Sequence, residues 1–203
     1  MSKKNQTNKL KSDQEVRTFL VDSFSVESRD GSEAKRTIVG HAAVFNSEDG
    51  PEFFRERIEP GAFRDSINED DVAALFNHDP SLILGRKSAG TLRLLEDDVG
   101  LWMEIDVPDT SYGNDLLTSI ARGDIKQASF AFRATDDAWI TNDGRDVRLV
   151  KKAKLFDVSP VTRPFYQDTD VALRYAEWKQ EREQKTRSRL NRCKLQLALN
   201  RHT

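Results

Sequence analysis

The sequence predicts an α+β fold. One sheet-rich domain spans residues 15–166, between a disordered N-terminal tail at residues 1–14 and a charged helical C-terminal arm at residues 167–203. Three observations predict it. Short segments of alternating apolar residues, separated by Gly, Asn and Asp turns, recur through most of the chain, as strands and hairpins do. A segment beginning at Thr110 has helical spacing and capping residues at both ends. Beyond Pro164 apolar density falls and charge takes over.

Each element has a local reason. Residues 1–14 are polar, Lys-rich and without periodicity, which predicts disorder. From Glu15 to Glu27, Phe19 alternates with Val21 and Phe24 with Val26, as in extended structure broken by a shift of face. Arg29-Asp30-Gly31-Ser32 reads as a turn and residues 36–46 as a stronger strand, so these two stretches are expected to pair as a hairpin. Glu59-Pro60-Gly61-Ala62-Phe63 opens a short helix through Ile67, with Pro60 in the first turn, where its missing N–H costs little. Val72 to His78 reads as a buried strand.

Residues 90–107 form a hairpin around Asp97-Asp98-Val99-Gly100. Thr110 or Ser111 caps a helix with Leu116, Leu117, Ile120 and Ala121 on one side, and Gly123 stops it. Strands follow at 127–135 and 147–161 about an Asn142-Asp143-Gly144 turn. Residues 168–199 read as a long exposed helix, because Tyr175, Trp178, Leu190, Leu195 and Leu197 build no single apolar stripe.

Composition narrows the function. With 203 residues, 37% hydrophobic and 33% charged, the chain holds one modest core and solvated extensions. The net charge of −2 is segregated: residues 174–203 carry nine Lys or Arg against three Glu, leaving −8 for the rest. An acidic domain makes specific nucleic-acid binding unattractive. Cys193 is the single cysteine, so no intramolecular disulfide forms, in keeping with a reducing compartment. Neither a secretory signal nor an apolar run of roughly 18 residues is visible, so a soluble cytoplasmic protein without membrane contact is expected.

The candidate chemistry is that of a serine hydrolase. It needs a hydroxyl nucleophile, a neutral imidazole to take its proton, and a group that holds the imidazole tautomer. Of the three histidines, His202 is the penultimate residue of a tail, leaving His41 and His78. His78 ends an apolar run before Asp79-Pro80, where the chain must change direction. Ser129 lies in Ala128-Ser129-Phe130-Ala131-Phe132, with small neighbours on its own strand face. Asp157 is an acid among Leu155, Phe156 and Val158, costly to bury without a partner. Each residue alone fits a structural role more readily: a capped strand end, a small residue packed in a sheet, an acid turned outward by alternation. There is no Gly-x-Ser-x-Gly elbow, zinc spacing or phosphate loop, so neither an α/β-hydrolase nor a metal or other cofactor is expected.

The motifs taken together resemble the prohead maturation proteases of tailed bacteriophages. The likeness runs through Gly40-His41-Ala42-Ala43-Val44-Phe45-Asn46, Ile58-Glu59-Pro60-Gly61-Ala62-Phe63 and Ala74-Leu75-Phe76-Asn77-His78-Asp79-Pro80. It continues through Leu84-Gly85-Arg86, Gly90-Thr91-Leu92-Arg93-Leu94, Pro108-Asp109-Thr110-Ser111-Tyr112-Gly113, Ser129-Phe130-Ala131-Phe132 and Val158-Ser159-Pro160-Val161-Thr162-Arg163-Pro164. It covers about residues 36–166.

The resemblance implies a fold related to the herpesvirus assemblins and a serine endopeptidase acting inside the procapsid in the host cytoplasm. Its expected partners are the major capsid protein with its scaffold segment, the portal, and further copies of itself through autoproteolysis. On matching positions His78 is the general base and Ser129 the nucleophile. The family pattern has an acid before Val-Ser-Pro-Val, here Asp157. Assemblins use a second histidine, for which His41 is the other candidate in the domain. Asp157 is favoured, since His78 would supply the partner that a carboxylate among apolar residues needs.

Arg86 could assist an oxyanion or sit in a surface salt bridge. The +6 arm could dock on acidic scaffold or the inner capsid surface, or be a solvated helix removed in self-processing. A rival reading keeps the domain as a non-catalytic capsid-assembly or scaffold-binding module.

Overall fold

Where apolar and polar residues alternate between Gly, Asn and Asp punctuation, the chain is extended. The computed structural model describes residues 14–20, 24–29, 35–48, 54–163 and 169–199, and these hold ten strands and three helices. In chain order the elements are β1 (Glu15–Leu20), β2 (Ser25–Arg29), β3 (Lys35–Val44), β4 (Arg55–Ile58), α1 (Arg64–Glu69), β5 (Ala73–Phe76), β6 (Asp79–Arg86), β7 (Leu92–Glu96), β8 (Gly100–Asp106), α2 (Ser111–Arg122), β9 (Gln127–Asn142), β10 (Arg145–Val161) and α3 (Thr169–Leu199). The expected disordered residues 1–13 and turn residues 30–32 lie outside the described residues. The chain divides into two units, Met1–Tyr166 and Gln167–Thr203.

The first unit is a sheet-rich α+β arrangement of two sheets. One has six strands in the order β1-β9-β10-β5-β6, with β4 also paired to β10; the other is β2-β3-β8-β7. Strand β10 organises the first. It pairs antiparallel with β9 along its length and, on its other edge, parallel with β4 at Val147–Val150 and with β5 at Asp157–Val158. The β9–β10 hairpin turns through Asp143 (φ 48°) and Gly144 (φ 77°), the positive dihedrals that a two-residue turn requires.

Apolar faces of the two sheets and α2 share one core, which includes Ile38, Phe63, Leu92, Met103, Ile105, Leu116, Phe130, Phe132 and Val158. Phe63 and Phe130 meet edge to face with centroids 5.3 Å apart. Each fully buried Leu, Ile or Phe contributes about 1.5–3 kcal/mol relative to exposure. Helix α2 has the expected caps: Thr110 Oγ1 accepts from the Gly113 N–H at 3.2 Å, and Gly123 ends it at φ 79°. Gly100 has a steric reason, since a Cβ there would lie 1.9 Å from the Ala43 carbonyl oxygen.

Several expectations need correction. Strand β1 does not join β2 and β3; it crosses to the other sheet and pairs with β9, while the hairpin is β2–β3 alone. The strand expected at 72–78 ends at Phe76, with Asn77 and His78 forming a turn. The helix expected from Glu59 begins at Arg64, because Pro60 to Phe63 are a turn. Strands β4 and β6 had no counterpart in the sequence reading.

The second unit contains α3, a charged helix from Thr169 to Leu199. Within it Tyr175 stacks on Trp178 at 6.0 Å, and Lys185 lies 3.6 Å from Glu181, an exposed i, i+4 ion pair.

Candidate active site

The β5–β6 connection is a two-residue turn between the paired Phe76 and Asp79. Both turn residues are left-handed, Asn77 at φ 54° and His78 at φ 58°, a conformation costing roughly 1–2 kcal/mol per non-glycine residue. Contacts to the end of β10 hold it. The Asn77 N–H donates to the Pro160 carbonyl at 3.1 Å. Asn77 Oδ1 accepts from the Thr162 N–H at 2.9 Å, and the His78 N–H donates to Ser159 Oγ at 3.3 Å. The strained turn thus aims the imidazole across the sheet.

His78 Nδ1 lies 2.6 Å from Asp157 Oδ1, and His78 Nε2 lies 2.7 Å from Ser129 Oγ. The three candidates form one unbroken hydrogen-bonded chain. An ionised carboxylate only accepts, so Nδ1 carries the proton toward Asp157 and Nε2 faces the serine. The side chains of His78 and Asp157 are 15% and 7% exposed, and Ser129 is fully buried.

Asp157 reaches this face because of a β-bulge. Leu155 opposes Phe132 and Asp157 opposes Ala131, so two steps on β10 match one on β9. Strict alternation would put Asp157 on the core face with Leu155; the extra residue, Phe156, turns it to the face of Ser129. Sequence reasoning missed Ser159, which sits directly opposite Ser129 and donates to Asp157 Oδ1 at 3.0 Å. It also missed Asn77. Both lie inside quoted motifs, and the only earlier signal was their adjacency to Asp157 and His78.

Ser129 Oγ has another neighbour, the backbone carbonyl of Arg17 on β1, to which it donates at 2.8 Å. Arg17 belongs to a buried ion network. Its guanidinium donates to Glu56 at 2.6 Å and to Glu15 at 3.3 Å, and lies 5.8 Å from the centroid of the Phe132 ring. Arg148, fully buried, bonds Glu15, Glu56 at 2.8 Å and Asp137 at 2.6 Å. Burial pushes the Glu56 carboxyl up, but the Arg17 and Arg148 guanidiniums more than reverse this and hold it below its ordinary value. Burial likewise opposes the charge on Arg17, and Glu56 outweighs it, leaving the guanidinium more firmly protonated.

His41 is not part of the constellation. It stands on β3 in the other sheet, with Nε2 2.9 Å from Asp97 Oδ2 and its ring edge-on to Trp102 at 5.0 Å. Arg86 makes an exposed salt bridge with Asp71 at 3.1 Å. Glu96, at the end of β7, accepts from the Phe63 N–H at 2.8 Å. His202 and the side chain of Cys193 lie outside the described residues. Among the described residues no helix is long and apolar enough to cross a membrane.

A family model described as caudovirus prohead serine protease matches residues 22–184. The chain belongs to that family. It is a family of serine peptidases of capsid maturation, acting with capsid proteins within the procapsid. No curated protein matches the chain. Among solved structures, this prohead protease family member is similar to the bacteriophage T4 capsid assembly protease, gp21. The two share 15% identity with a TM-score of 0.49, over 74% of this chain and 98% of that one.

Proposed function

We propose that the chain is a serine endopeptidase that removes the scaffolding segment of the major capsid protein, and cuts itself, during procapsid maturation. The observation that carries this reading is the continuous Asp157–His78–Ser129 hydrogen-bonded chain, 2.6 Å and 2.7 Å long at its two links, within a member of a serine protease family. Residues 15–166 are the protease domain and residues 167–203 a charged arm, which either docks on acidic scaffold or the inner shell or is removed in self-processing.

The chemistry follows from the positions. As Ser129 Oγ attacks a peptide carbonyl carbon, its proton passes to His78 Nε2, and Asp157 stabilises the imidazolium through Nδ1–H. His78 then gives that proton to the departing amine, the C–N bond breaks, and the acyl group remains on Ser129. Water, deprotonated by the same nitrogen, releases the acid and restores the serine. Preorganised polar contacts around Asp157 from Ser159 keep the carboxylate aimed without reorganisation during the step.

Full burial of Ser129 is the observation that favours the non-catalytic rival, a capsid-assembly module. Coexpression with the cognate major capsid protein separates the two. Intact mass should show both chains truncated with wild type and both whole with Ser129→Ala. Equal truncation by the two would remove Ser129 from the mechanism, and intact chains in well-formed shells with wild type would support the assembly module.

A further inference from the structure

We infer that Ser66 is a positioning residue for the reaction: from α1 it holds the β-bulge that turns Asp157 toward His78. The inference rests on Asp157 being the partner that orients His78, and it starts from a gap in the sheet. On its edge away from β9, β10 pairs with β4 at Val147–Val150 and with β5 only at Asp157–Val158. Between these, among the described residues, no strand pairs with that edge. Buried backbone donors there must find other partners.

The α1 segment supplies two. The Ala153 N–H donates to the Ala62 carbonyl at 2.8 Å, and the Leu155 N–H donates to Ser66 Oγ at 2.8 Å. Leu155 is opposite Phe132, the inserted Phe156 follows, and Asp157 is opposite Ala131. Ser66 thus grips β10 immediately before the step that gives Asp157 its face. A slip of one residue there would straighten the ladder and move the carboxylate off the face of Ser129.

The hydroxyl itself is fixed in direction. Ser66 is 3% exposed and donates its one proton to Asp70 Oδ2 at 2.7 Å, which leaves a lone pair for the Leu155 N–H. Asp70 is anchored in turn. Its N–H donates to the Ser66 carbonyl at 2.9 Å, Lys154 Nζ lies 3.0 Å from Oδ1, and Lys87 Nζ donates to its carbonyl oxygen at 2.9 Å. The Ser66 hydrogen bond, with Lys154, holds the Asp70 carboxyl below its ordinary value, so it stays an acceptor at neutral pH. Acid and hydroxyl together clamp the consecutive residues Lys154 and Leu155. The path from α1 to the imidazole is contiguous: Asp70, Ser66, the Leu155–Asp157 backbone, the Asp157 carboxylate and His78 Nδ1.

The test compares Ser66→Ala, Ser66→Cys and Ser66→Thr with Asp157→Asn. A thermal melt first establishes that each is folded. Cysteine fills the same space but accepts only weakly, and threonine keeps the hydroxyl. Initial rates on a peptide spanning a capsid processing site should show kcat down roughly ten- to hundredfold in Ala and Cys, with KM unchanged and Thr restoring the rate. The far-downfield proton resonance of the His78 Nδ1–H should shift in Ala and Cys and return in Thr. Because Ser66 acts through Asp157, Ser66→Ala combined with Asp157→Asn should be no slower than Asp157→Asn alone.

Folded Ala and Cys variants with wild-type kcat and an unmoved resonance overturn the inference and leave Ser66 a stability residue. Losses that multiply in the double variant also overturn it, since Ser66 would then act by another route. If Asp157→Asn itself costs less than about tenfold, the reading of Asp157 as the partner of His78 fails and takes this inference with it.

Discussion

Asp157 and Ser129 stand diagonally across the β9–β10 ladder, Asp157 opposite Ala131 and Ser129 opposite Ser159. Diagonal neighbours on one sheet face are about 7–8 Å apart. That is too far for a direct bond and suits an intervening imidazole, which His78 supplies from the β5–β6 turn. The sheet fixes the two ends of the chain, and one turn fixes the middle.

Asp157→Asn should leave the fold intact and reduce kcat by roughly a thousand- to ten-thousandfold, with KM little changed. An amide can present its NH₂ to Nδ1, which favours the tautomer with the proton on Nε2, where it cannot accept from Ser129. Initial rates on a peptide spanning a capsid processing site measure this. A loss below about tenfold would mean that Asp157 does not set the tautomer.

Ser159→Ala separates positioning from structure. The Ser159 hydroxyl donates to Asp157 Oδ1 and accepts from the His78 N–H, so the variant leaves both groups short of a partner. Hydrogen bonds to charged groups contribute about 1.5–3 kcal/mol, so kcat should fall roughly ten- to hundredfold. KM should change little, and the melting temperature should fall by the cost of leaving those groups unpaired. A fall in stability with kcat retained would make Ser159 a packing residue only.

What the sequence made legible was local. The 90–107 hairpin, the Thr110 cap and the Gly123 stop depend on residues within a few positions of one another, and the structure has them. His78, Ser129 and Asp157 were candidates by chemical type, but their roles came from the positions they hold in the family resemblance, not from local pattern. The destination of β1 was not legible: its alternation suits either sheet, and Arg17's partner Glu56 is distant in sequence. Strand β6 was hidden by Pro80, which reads as a breaker but is tolerated on a sheet edge, where β6 lies. The inserted residue Phe156 was hidden, because a period of two assumes no bulge.

Acid should unfold the protein through the buried network. The Glu56 carboxyl is held below its ordinary value when folded, so the folded state binds fewer protons than the unfolded state as pH falls. The stabilisation is complete above the unfolded value, near 4.5, and is lost as pH drops through the folded one. The melting temperature should be flat down to about pH 5 and fall steeply below about pH 4. Glu56→Gln leaves two arginines short of charge. It should cost about 3–5 kcal/mol at neutral pH and flatten the acid limb, as thermal melts across pH would show. An unchanged acid limb would assign acid unfolding to other carboxylates.

The strained turn gives a prediction about both stability and rate. Asn77 sits at φ 54°, and its Oδ1 accepts from Thr162. Asn77→Gly adopts the backbone conformation without strain and loses the Thr162 contact; Asn77→Ala loses the contact and holds the conformation under strain. Denaturant titration should therefore show Ala less stable than Gly by about 1–2 kcal/mol, the cost of a left-handed alanine. Both should lower kcat, since the Thr162 contact ties the turn carrying His78 to β10. If Gly and Ala were equally stable, the turn would have relaxed out of the left-handed region. If both retained wild-type kcat, the Pro160 and Ser159 contacts alone would suffice to aim the imidazole.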